Sequence, residues 1–106
     1  MKKSDPARLA RALKALAHPD RLAVVRFLAG GERCVCELQE VMGSQLPTVS
    51  RHLKLMVDAD LLESRRDGQR ILYKLKTPCV ADFVGCLEAV LAGRPCRLLS
   101  ARRKCP

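Results

Sequence analysis

Apolar residues along this 106-residue chain recur with helical spacing, stop at glycine and proline, and in one stretch switch to strict alternation. Leu9, Leu13, Leu16 and Ala17 keep the period of a first helix. His18-Pro19-Asp20 reads as a fresh start, because proline fits a first helical turn and aspartate suits the positive end of the helix dipole. Leu22, Val25 and Leu28 line one face of that second helix until Gly30-Gly31 ends it. A short helix from about Cys34 to Met42 follows, packing Leu38 and Val41 and stopping at Gly43. Leu46, Val49, Leu53, Met56 and Val57 mark the next, with Ser44 as its cap and Pro47 in the first turn. Ile71, Tyr73 and Leu75 then alternate with Leu72, Lys74 and Lys76, and Asp67-Gly68 supplies a turn, so a β-hairpin is predicted. A last helix carries Val80, Phe83, Val84, Leu87, Val90 and Leu91 until Gly93 and Pro95.

Together these elements predict a mostly α fold with a β-hairpin wing. Residues 1–93 form one domain and residues 94–106 a basic, cysteine-containing tail. A mass of 11.8 kDa leaves little room for a second domain or an ordinary enzyme cleft. The wide apolar stripe on the last helix suggests a partner surface, although core packing is the commoner cause of such a stripe.

Charge sharpens the picture. Twenty Lys and Arg against eleven Asp and Glu give a net charge of +9, which points to a polyanionic partner. Both ends of the chain are basic. Within the nearly neutral middle, Ser44 to Lys76 still holds seven basic residues against four acidic ones. It holds the second of two short helices separated by Gly43 and the basic hairpin that follows, the order of a winged helix-turn-helix. With Leu46, Val49, Leu53 and Met56 turned inward, Ser44, Thr48, Arg51 and Lys54 project outward, flanked by Gln45, Ser50 and His52. Gln45 and Arg51 are placed to read base edges, Ser50 and Lys54 to meet phosphate. Arg65, Arg66 and Arg70 at the wing tip would reach backbone or minor groove, adding affinity more than specificity. Each part alone is also what a solvated helix face or an ordinary charged turn looks like; the order and spacing carry the reading.

Residues from about Ala15 to Leu75 resemble the winged-helix repressors of the ArsR/SmtB family. The resemblance rests on Leu16-Ala17-His18-Pro19-Asp20-Arg21-Leu22, Cys34-Val35-Cys36-Glu37-Leu38, Val49-Ser50-Arg51-His52-Leu53-Lys54, and Asp67-Gly68-Gln69-Arg70 before Tyr73-Lys74-Leu75. It implies a homodimer joined through the first and last helices, bound to a palindromic operator and released by a metal or metalloid ion. The chain departs from the family at Gln45, where serine is usual, and at Leu46, where glutamine is frequent.

Six cysteines, with no apolar leader or spanning run, suit a reducing cytoplasm, where thiols act as ligands, sensors or core fillers. In a regular helix residues i and i+2 point about 200° apart, so Cys34 and Cys36 share an ion only where the turn is irregular or unwinds. Such unwinding would displace the helix-turn-helix pair. The similar Cys-Val-Cys motif of arsenic-responsive family members implies an As(III)/Sb(III) site of three thiolates, the inducer rather than a cofactor for DNA binding. Those members often place the third sulfur where this chain has Gln39, so either Cys79, Cys86, Cys96 or Cys105 supplies it, from this chain or its partner, or the site is a weaker one of two thiolates. Soft thiolates suit other thiophilic ions as well. Cys79, Asp82 and Cys86 share one stripe of the last helix, where buried cysteine is usually a small hydrophobe. That helix has no histidine, unlike the zinc-sensing branch.

Three rival readings remain. Cys96 to Arg102 satisfies the C-x5-R pattern of phosphatase loops, but it lacks the glycines that wrap an oxyanion, and no enzyme is expected. Cysteine oxidation or persulfidation would keep the DNA binding and change the signal. A basic coating protein for DNA or membrane would bind any duplex of equal length equally well.

Overall fold

The computed structural model describes residues 5–76 and 78–95. Its elements are α1 (Pro6–Leu16), α2 (Pro19–Leu28), β1 (Arg33–Cys34), α3 (Val35–Met42), α4 (Leu46–Asp58), β2 (Leu62–Asp67), β3 (Arg70–Leu75) and α5 (Cys79–Leu91). The predicted mostly α fold with a hairpin wing is the fold observed. Residues 96–106, with Cys96, Cys105 and the C-x5-R pattern, lie outside the described residues.

Local chemistry sets the helix starts. The Asp5 carboxylate accepts from the Ala7 N–H at 3.2 Å, with Pro6 in the first turn of α1. His18 caps α2 through Nδ1, which accepts from the Asp20 N–H at 3.1 Å. Between α3 and α4 the chain turns at Gly43 in the left-handed region (φ 65°, ψ 24°), and its N–H donates to the Gln39 carbonyl at 2.9 Å. A Cβ is disfavoured in that conformation, so glycine belongs there. The cap of α4 is Gln45, one residue later than the expected Ser44, and it acts without a side-chain hydrogen bond.

Three helices supply the most deeply buried side chains of a core to which α1, α5 and β2 also contribute. Val24 and Val25 from α2, Leu38 from α3, and Val49, Leu53 and Met56 from α4 are fully buried. Each contributes about 1.5–3 kcal/mol by leaving water. Two inward assignments fail. Leu46 is 47% exposed, because the first turn of α4 precedes the point where the helix meets the core. Val41 is also exposed, and Met42, one position on, fills the site instead.

The sheet has the order β1-β3-β2. β2 and β3 pair antiparallel from Leu62↔Leu75 to Asp67↔Arg70, and Gly68 opens the tight turn with φ 65°. β1, which the pattern of apolar residues did not reveal, adds Arg33↔Tyr73 and Cys34↔Leu72 to the inner edge. Past α4 the chain reverses at Asp60, also at positive φ. Its carboxylate accepts from Arg8 at 2.6 Å and Lys76 at 3.3 Å, tying α1 to the end of the wing. Those two cations hold the Asp60 carboxyl below the usual carboxylate range.

Candidate nucleic-acid interface and thiol pair

Burying Val49, Leu53 and Met56 fixes which side of α4 faces outward. Gln45, Thr48, Ser50, Arg51 and Lys54 are all exposed. Arg51 makes no ion pair among the described residues, and Lys54 has only a long contact with Asp58 at 3.9 Å. A helix with one dry face and one small, polar, cationic face has the profile a major groove admits.

His52 differs from its neighbours. It is half-buried at the seam with α2, its ring 4.6 Å from that of His18, and its Nδ1 lies 3.1 Å from the Arg21 guanidinium. Burial, aided by the nearby His18 and Arg21, lowers its pKa. The ring therefore packs at the flank of the reading helix and fastens it to α2. Arg21 makes this joint, since it also donates to the Ala15 carbonyl at 2.7 Å. Sequence reading gave Arg21 no role, although its place two residues after the proline that starts α2 was the available signal. His18, Asp20 and His52 bring one ligand atom each within 4.8 Å of one another. Both Nδ1 atoms, however, face N–H donors, a poor arrangement for a cation.

The three wing arginines divide. Arg66 and Arg70 are exposed beside the turn. Arg65, expected with them, instead grips Glu32 through two hydrogen bonds of 2.9 and 2.8 Å, and the guanidinium holds the Glu32 carboxyl below its ordinary range. The pair ties the wing to the segment before β1.

Cys34 and Cys36 come together, for a reason other than the one expected. Cys34 lies in β1 with extended backbone (φ −84°, ψ 161°), just outside α3, so the 200° separation of two helical residues about two apart does not apply. Its side chain meets that of Cys36 across the helix start, the Cα atoms are 5.4 Å apart, and the two sulfurs are joined as a disulfide. The helix remains intact, its first turn closed by the Cys34 N–H donating to the Glu37 carboxylate at 3.1 Å. Of the two alternatives, an irregular turn or unwinding, the structure has the irregular start, with Cys34 extended ahead of an intact helix. Cys34 is 3% exposed, while Cys36 faces solvent. Cys79 and Cys86 lie on α5, and neither is a free thiol.

An outward cationic helix, a pinned basic wing and an apolar helical core define a winged helix-turn-helix regulator. The model of the bacterial regulatory protein arsR family matches residues 18–64. The chain is 34% identical over 82 residues to the arsenical resistance operon repressor of Staphylococcus aureus, covering 77% of this chain and 79% of that one. It is 42% identical over 81 residues to the probable mercury resistance operon repressor of Streptomyces lividans, covering 76% of this chain but 65% of the relative's length. Among solved structures, the homodimeric winged helix-turn-helix domain of a possible ArsR-family regulator from Mycobacterium bovis superposes with a TM-score of 0.74. That pair is 31% identical and covers 87% of this chain and 91% of the other. The chain belongs to the ArsR family of bacterial regulatory proteins, whose members are DNA-binding regulators and not enzymes.

Proposed function

We propose that this chain is a homodimeric repressor that holds a palindromic operator and releases it when As(III) or Sb(III) is bound by Cys34, Cys36 and one further thiolate. The observation that carries the reading is the meeting of two sulfurs at the foot of α3, the helix that supports α4. A two-fold dimer supplies the base-pair coverage that one small domain lacks, with reading helices about 34 Å apart, one turn of DNA. The dimer face is drawn from Leu9 and Leu13 on α1 and Phe83, Leu87, Val90 and Leu91 on α5, all of them exposed. Gln45, Thr48, Ser50, Arg51 and Lys54 face the bases and adjoining phosphates, and Arg66 and Arg70 reach the flanking backbone.

The donor set fits a soft ion, since both residues offer thiolates once reduced. Cys79, Cys86, Cys96 or Cys105, of this chain or its partner, supplies the third sulfur. The arsenical and mercury resistance names of two relatives agree with thiophilic inducers. A reducing cytoplasm is the compartment this chemistry requires.

One observation favours a second reading, in which oxidation is the signal: the paired sulfurs are already in disulfide contact. Operator selected by the protein from random duplexes, then challenged with As(III), Hg(II), peroxide or polysulfide, separates the two. Release of reduced protein by As(III), lost in Cys36→Ser, supports the metalloid repressor. Release by oxidant alone refutes it in favour of the redox repressor.

A further inference from the structure

We propose that an open cationic groove between α1 and α4 seats the sugar-phosphate backbone of duplex DNA beside the reading helix. Arg11 and Lys14 thereby join the interface. This inference rests on the DNA-binding reading above. The groove, about 890 Å³, is lined by Arg11, Lys14, Arg21, Arg51 and Lys54 against the single carboxylate of Asp58.

What distinguishes these cations is how they are held. Three other surface arginines are neutralised by acids, Arg8 by Asp60, Arg26 by Glu88 and Arg65 by Glu32, and outside the groove the exposed wing arginines Arg66 and Arg70 make no ion pair among the described residues. In the groove Arg11 donates to the Asp58 backbone carbonyl at 3.1 Å, and Arg21 to the carbonyls of Ala15 and Lys14 at 2.7 and 3.4 Å. A carbonyl orients a guanidinium without cancelling its charge. Lys14 and Arg51 make no ion pair among the described residues, and Asp58 is itself contacted by Lys54. The groove is therefore pre-positioned and strongly positive.

Its shape selects the occupant. The charges are spread over three helices and do not converge on one point, and Arg51 and Lys54 belong both to the groove and to the outward face of α4. A small anion would call for a converging pocket. A polyanion that runs past the reading helix meets all of them in turn, as a DNA strand flanking the major groove does.

Salt dependence tests this on the full-length protein. Each phosphate contact contributes about 0.9 to the slope of log K against log salt. Lys14→Gln and Arg11→Gln should each weaken operator and scrambled duplex by the same factor. The affinity each variant loses between about 50 and 200 mM salt should be smaller by about 3.5-fold, and by about 12-fold in the double variant. Arg51→Ala should instead weaken operator more than scrambled duplex. Unchanged slopes in Lys14→Gln and Lys14→Glu, with the Arg51→Ala effect intact, would overturn the groove and leave the DNA-binding reading standing. No wild-type binding to any duplex would remove both. Binding of inorganic phosphate that Lys14→Gln abolishes, with duplex affinity unmoved, would make this a small-anion site and also overturn the proposal.

Discussion

Serine at position 34 and serine at position 36 should behave alike toward the inducer and differently toward heat. Cys34 is 3% exposed and packs in β1 against the wing, whereas Cys36 faces solvent. Cys34→Ser places a hydroxyl where an apolar thiol sat, and burying a hydroxyl without a partner costs about 1–3 kcal/mol. In a domain of this size each kcal/mol lowers Tm by about 4–8 °C, so a fall between about 4 and 24 °C is expected. Cys36→Ser should stay within about 0.5 kcal/mol of wild type, as surface substitutions do. Each variant removes one of two adjacent thiolates, so both should keep operator under As(III) concentrations that release the wild type. Circular-dichroism melts in reductant at a single protein concentration give the first quantity, because dimerisation makes Tm concentration-dependent. Fluorescence anisotropy of labelled operator gives the second. A Cys34→Ser protein that melts with wild type would refute the burial argument, and As(III) release by either variant would remove the assigned site.

Three further outcomes follow from the same geometry. Gly43→Ala should cost about 1–2 kcal/mol, because φ is +65° and no atom lies within 4 Å of the added Cβ, so the penalty is conformational alone; Gly43→Asn should cost less in urea titration, and equal losses would contradict this account. Leu53→Ala, at a fully buried site in α4, should destabilise by about 2–5 kcal/mol, whereas Arg51→Ala should leave the melt unchanged and weaken operator binding. The lowered His52 pKa means the unfolded chain binds its proton first as pH falls; that stability is complete above the ordinary histidine value of about 6.5 and is lost below it. Thermal melts from pH 8 to 5 should show that loss, reduced in His52→Asn.

Long periodic segments were legible, because six fully buried residues on α2, α3 and α4 impose helical spacing directly on the sequence. The wing was legible from alternation and its Asp-Gly turn. Two-residue β1 was not, since a strand that short shows no period, and its absence made Cys34 look helical. Leu46 and Val41 were misplaced for a related reason: spacing identifies a helix face but not where that face leaves the core. The Glu32 partner of Arg65 and the Arg21 partner of His52 were not legible, because residue type and position near a turn or reading helix do not disclose a partner distant in sequence. Glu32 lies 33 residues from Arg65, and Arg21 lies 31 from His52. The third sulfur stays unassigned for the same cause, as only tertiary or dimer contacts can select among four cysteines.

The segment from Glu32 to Glu37 is fixed at three points. Glu32 grips Arg65 of the wing, Cys34 pairs with Leu72 of β3, and the Cys34 N–H is held by Glu37. A ligand that draws Cys34 and Cys36 toward a third sulfur therefore loads the wing and the start of α3 together, while Leu38 transmits the load to the core shared with α4. The required effect is modest. A hundredfold loss of operator affinity needs about 2.7 kcal/mol, within the usual range of allosteric coupling. Breaking the exposed Glu32–Arg65 pair alone supplies at most about 1 kcal/mol. In a two-fold dimer the same displacement occurs in both halves, so each must lose only about 1.4 kcal/mol, less than many single base contacts contribute. On the proposed reading, symmetry lets a small distortion at α3 act as a switch, and a covalently linked dimer with one Cys36→Ser half should show roughly the square root of the wild-type fold-release; full release from that dimer would refute additive action of the two halves.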